Sequence, residues 1–235
     1  MNAYALLVAG HVLAGTLALV TFWMAALLRK GSPSHRRTGQ VYLLAMCAIV
    51  ATGAPMAVAR LLDGHPVTAA FLGYLVVITA TGMWGAWRAI RDRASVQRYT
   101  GPVFVVLAAL SLASGCAVFA LGVNVQSPLL TGFSLVGVAG GLGMIGKRLR
   151  RERLASDPRW WMREHYTSML GNGIATHIAF LGIGLPRLLP SVSGTALQYV
   201  AWFAPIGVAI IAKLILDRRW GSRPRHGIAV VASRP

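Results

Sequence analysis

The chain has 235 residues, 56% hydrophobic and 12% charged, with a formal net charge of +17 and a mean hydropathy of +0.61. A soluble domain carries about 25% charge, so an ordinary soluble fold is excluded. Nucleic-acid binding, which +17 would otherwise suggest, is excluded because the basic residues fall in alternate connections and not along one groove.

Uncharged runs divide the chain: Met1–Leu28, Thr38–Ala59, Gly64–Trp87, Tyr99–Gly146, His165–Pro186 and Leu188–Ala212, of 28, 22, 24, 48, 22 and 25 residues. A helix of about 20 residues crosses the hydrocarbon core. Five runs therefore hold one span each. The longest holds two, parted by the polar turn Asn124-Val125-Gln126-Ser127-Pro128. The expectation is an all-α polytopic membrane protein, a seven-transmembrane-helix bundle. It forms a single transmembrane domain over 1–217, with a basic cytoplasmic tail at 218–235.

The spans are expected at 3–28, 39–62, 67–90, 101–122, 128–146, 165–188 and 196–217. The first has no basic n-region and is too long for a signal peptide, so it reads as a retained span. It carries His11, with Gly15 one turn later. The loop after it holds Arg29, Lys30, His35, Arg36 and Arg37. The second span contains Cys47 and Pro55, where a kink is expected. Cys47 and Cys116 of the fourth span lie at different depths, which argues against a disulfide. The fifth span is rich in glycine, and Gly137 and Gly141 have the small-xxx-small spacing that lets helices approach closely. Tight packing in the bundle, a dimer face or a flat cofactor would each use it.

Of the 23 Lys and Arg residues, 21 gather in the loops after the first, third and fifth spans and after the seventh; only Arg60 and Arg187 fall on the other side. Basic connections stay in the cytoplasm during insertion, so the orientation reads N-out, C-in. Trp84, Trp87, Tyr99, Trp160, Trp161, Tyr166 and Trp220 cluster beside the basic loops and read as an interfacial aromatic belt. The segment 147–163 reads as a lipid-facing connection that binds anionic head groups.

Chemistry inside the bilayer has few candidates. All six carboxylates fall in loops or at helix ends, which argues against proton- or cation-coupled transport. Uniport or lipid transport remains. The only candidate for a retinal Schiff base, Lys213, sits at a helix end and is set aside. His65 and His226 lie in an outer loop and in the tail. His11 and His177 have compatible depths, so neighbouring helices could present both to one haem b. Alternatively, each bonds a carbonyl or a hydroxyl separately. His165, Met169, Asn172 and Thr176 recur along one face of the sixth span, with His35 at a similar level. His35, His165 and Met169 could converge on a metal such as copper; the alternative is that the histidines pin helix ends or lipid phosphates.

The run Ser34-His35-Arg36-Arg37-Thr38-Gly39-Gln40-Val41-Tyr42, followed by Met46, resembles the H-R-x-x-G-x-x-Y…M signature of a family of predicted bacterial multi-pass membrane proteins of unknown function. His11 with Gly15, and Trp161-Met162-Arg163-Glu164-His165 with Met169, Gly171, Ile174 and Ala179-Phe180, resemble it too, so the likeness covers roughly residues 5–190. It implies a bacterial inner-membrane location and no established activity. It also favours His11, His35 and His165 over His177, where many relatives have an apolar or small residue. The functional expectation is a redox or redox-assembly protein holding haem, copper or quinone through His11, His35, His165, His177, Met169 or Asn172. The competing class is a non-catalytic permease or a structural subunit, with a homodimer or membrane complex as possible assemblies. No phosphate-binding loop, matched nucleophile and base, or zinc signature is present, so enzyme status is open.

Overall fold

The computed structural model describes residues 3–191 and 194–220. Among them, seven helices are long and apolar enough to cross a membrane. The elements are α1 (Ala3–Leu27), α2 (Pro33–Leu62), α3 (Pro66–Arg91), α4 (Val96–Tyr99), α5 (Pro102–Asn124), α6 (Pro128–Leu149), α7 (Arg151–Ala155) and α8 (Trp160–Ile178). A π-helical stretch, Ala179–Gly184, continues α8 into α9 (Leu185–Leu188), and α10 (Thr195–Trp220) completes the bundle. No strand occurs among the described residues.

Local chemistry sets the helix ends. Proline opens α2, α3, α5 and α6, where its missing N–H has no partner to lose. Ser32, Ser95 and Ser127 cap α2, α4 and α6 by accepting from the amides of His35, Arg98 and Leu130. Gly64 ends α2 at φ +79°, and His65 N bonds back to Arg60 O at 2.9 Å, the pattern of a left-handed helix stop.

Two boundaries differ from the sequence-based spans in a way that matters. The second helix starts at Pro33 and not at 39, so His35, Arg36 and Arg37 belong to its first turn; the Ser-Pro cap extends the helix beyond its hydrophobic run. The sixth starts at Trp160 and not at 165. At the C-terminus α10 continues through Trp220, so 218–220 are helix. The rest of the expected tail, with His226, lies outside the described residues.

Consecutive long helices are neighbours from α1 to α6, apart from the one-turn α4. The last two close the bundle differently: α8 lies along α3 and also touches α1, and α10 packs on α8. The contacts are close because small residues make them so. On α6, Gly137 and Gly141 face α5 and the Tyr74 ring; added Cβ atoms would come within 2.5 and 2.8 Å of neighbours. Between α3 and α8, Gly82 faces Asn172 and Gly85 faces Ser168. By contrast Gly140, Gly143 and Gly146 have nothing within 4 Å. Large apolar side chains such as Leu13, Leu27, Leu44 and Val208 point outward, as a hydrocarbon surround requires.

Candidate metal centre

His35 is the third residue of α2, and its Nδ1 stands 3.0 Å from the carbonyl oxygen of Ala25 in the last turn of α1. A carbonyl only accepts, so Nδ1 carries a proton, and in the neutral imidazole the lone pair sits on Nε2. Lys30 seals the same helix end, donating to Ala25 O at 2.9 Å and Ala26 O at 2.5 Å. Partial burial holds the Lys30 ammonium below its ordinary pKa.

His165 has the same construction. Its Nδ1 donates to Ala86 O of α3 at 3.0 Å, again placing the neutral ring's lone pair on Nε2. His35 and Lys30 are its electrostatic neighbours. Neither Nε2 has a hydrogen-bond partner among the described residues. Met169, one turn along α8 from His165, packs against the cluster of Ala18, Tyr42, Ala45 and Met46. The bundle thus brings His35 and His165 to one end and sets a thioether on the same helix face.

An ion pair on a buried carboxylate anchors this end. Glu164, 8% exposed, accepts from Lys147 Nζ at 2.7 Å and from the Tyr99 hydroxyl at 3.1 Å. Tyr99 packs among Trp84, Phe104 and Trp160, with ring centroids 5.1–5.8 Å away. Burial, then the Glu164 carboxylate, push the Tyr99 phenol far above its ordinary pKa. Tyr99 and Trp160 are 1% and 4% exposed, so they are core residues and not part of an interfacial belt. Sequence reasoning missed this trio, because a loop carboxylate beside seven cations looks solvated. The available hint was Glu164 one residue before His165, in a segment with two tryptophans.

Asn172 is 1% exposed and sits against α3. With its amide nitrogen toward Thr79 O (3.2 Å) and its oxygen toward Met83 N (3.0 Å), both polar ends are satisfied by one turn of that helix. Thr176 continues the same stripe; its hydroxyl donates to Asn172 O at 3.0 Å and lies 3.7 Å from Met46 Sδ and 3.4 Å from the Tyr42 hydroxyl. Asn172 is therefore engaged in joining α8 to α3.

His11 and His177 are not brought together. His11 Nδ1 lies 2.8 Å from the Thr52 hydroxyl of α2, and that hydroxyl donates to Ala48 O, so the imidazole is the donor. His177 uses both nitrogens: Nδ1 donates to Gly173 O at 2.7 Å, and Nε2 accepts from Trp23 Nε1 at 2.9 Å. Its ring rests on Phe22 and Trp23, eleven and twelve residues along α1 from His11, about 17 Å at 1.5 Å per residue. The similar depths expected for the two histidines therefore do not hold: His177 packs at the level of Phe22 and Trp23, well along α1 from His11.

His65 precedes α3 and is exposed. Both cysteines are free thiols. Among the described residues no three His, Cys, Asp or Glu side chains converge, so a three-ligand site at His35 and His165 would have to draw on thioether sulfur. Compared with known proteins, the chain matches no family model, no curated protein and no solved structure.

Proposed function

We propose that this membrane protein handles a soft metal ion, copper(I) above all, in a redox or redox-assembly role, with His35 and His165 as its nitrogen ligands and Met169 as a thioether ligand. The observation that carries this is the shared state of the two imidazoles. Each donates Nδ1–H to a backbone carbonyl and leaves Nε2 unengaged, the outer-sphere arrangement that orients histidine ligands and raises their basicity. Two imidazoles with a thioether suit copper(I), which favours soft and borderline donors. A haem bound by His11 and His177 is not part of the proposal, because His177 has no free nitrogen.

The proposal includes membership of the bacterial family that the His35–Tyr42 run resembles, an inner-membrane location, and the N-out, C-in orientation suggested by the basic connections. It also includes anionic lipids around Lys147, Arg148, Arg150, Arg151 and Arg153.

Anaerobic titration of the detergent-purified chain with copper(I), in competition with a chelator, tests the function. Wild type should retain an equivalent that His35→Ala and His165→Ala each release. Copper bound equally well by all three proteins overturns the assignment. So does a Soret band that survives both substitutions and bleaches with His11→Ala. A preparation that binds neither copper nor haem would favour the permease or structural class.

A further inference from the structure

Beyond the histidine site lie two further soft donors that it does not use, Cys47 and Met83, with Met169 common to both groups. Cys47 is midway along α2, and its Sγ stands 3.1 Å from Met83 Sδ of α3. Met83 and Met169 both pack against the cluster containing Met46, so four sulfur-bearing side chains gather where α2, α3 and α8 meet. The amide of Met83 is bonded by the buried Asn172, which fixes the α3 turn bearing its thioether. Cys47 is exposed on the surface of the bundle, so its thiol is not there to fill the core.

From this we infer an inner copper(I) site formed by Cys47 and Met83, with the metal passed to it by way of Met169; the inference rests on the proposed copper chemistry of His35 and His165. Charge decides which site stands where. Copper(I) on two neutral imidazoles is a cation, tolerable at the basic, headgroup-level end but costly in hydrocarbon. Copper(I) on a thiolate is neutral overall and can reside among apolar helices. Transfer is a ligand exchange without redox change: the copper–imidazole bonds break, then the copper–Met169 bond, the Cys47 S–H bond breaks, and copper bonds form to the Cys47 thiolate and the Met83 thioether. The thiol proton is taken up by an imidazole Nε2 that the metal has vacated. Met169, on the same helix as His165, supplies a thioether partway.

The full-length protein in detergent, titrated anaerobically with copper(I) against a chelator, tests the site. Wild type should hold a second equivalent whose uptake raises thiolate-to-copper absorbance in the ultraviolet. Cys47→Ser, which keeps the size of the side chain, should lose that equivalent and its absorbance but keep the first. Met83→Leu, a swap of similar volume, should weaken the second equivalent at least tenfold. Full stoichiometry in Cys47→Ser overturns the inner site, and a single equivalent lost only from His35→Ala and His165→Ala does so while leaving the histidine site standing. A single equivalent lost only from Cys47→Ser would uphold the sulfur site and remove the histidine one. No binding by wild type removes both.

Discussion

Alanine at Gly137 and alanine at Gly140 should have opposite effects on stability, although the two glycines stand one turn apart on α6. A Cβ at Gly137 would lie 2.5 Å from Cε2 of Tyr74, 3.0 Å from its hydroxyl and 3.0 Å from Ser111 O. None of these can move cheaply. Tyr74 is 1% exposed, and its hydroxyl donates to Phe133 O and accepts from Gly137 N, both at 2.9 Å. Overpacking of this kind costs about 1–3 kcal/mol, and a displaced phenol forfeits hydrogen bonds worth about 0.5–1.5 kcal/mol each. Gly137→Ala should therefore lose about 2–4 kcal/mol. At Gly140 an added Cβ meets nothing within 4 Å. Only helix propensity acts there, favouring alanine by about 0.5–1 kcal/mol. Reversible unfolding in mixed detergent micelles of rising SDS content, followed by circular dichroism, compares the two. A Gly137→Ala protein as stable as wild type, or a Gly140→Ala protein that falls with it, would refute the packing of α6 against α5 and Tyr74.

Three further outcomes are expected. Lys147→Met should cost about 2 kcal/mol, less than the 3–5 of a fully buried pair because Lys147 is a third exposed. Adding Glu164→Gln should recover much of that loss, and a double-mutant cycle with no coupling would break the pair. Asn172→Leu should cost about 1–3 kcal/mol by leaving the α3 backbone without its side-chain partners, and should speed amide exchange near Met83. Tyr99 gives a pH dependence of fixed sign. Its folded pKa lies above the unfolded value near 10, so the folded chain keeps a proton that the unfolded chain releases. The stability tied to that proton is intact below about pH 10 and falls as the pH rises above it. Tyr99→Phe should flatten the alkaline decline, and an unchanged decline would count against a buried phenol.

The histidine pair shows how far sequence reading reaches. His35 and His165 stood out because few polar side chains interrupt the apolar runs. What fixes their state is Ala25 O and Ala86 O, and these are backbone groups of other helices with no trace in residue identity. The same holds for Glu164. Its partners Lys147 and Tyr99 lie 17 and 65 positions away, and only side chains reaching across from α6 and α4 bring them together.

Spacing of charge alone pointed to a helical fold with seven apolar segments, because a span of hydrocarbon admits no unpaired backbone and few charges over about 20 residues. Which helices touch was decided by tertiary structure. Glycine contacts at Gly82, Gly85, Gly137 and Gly141 set α3 against α8 and α6 against α5. In a bilayer, close packing of particular surfaces selects neighbours, since lipid satisfies every apolar face equally well. That selection separated His11 from His177 and set His35 and His165 at one end of the bundle, within electrostatic reach.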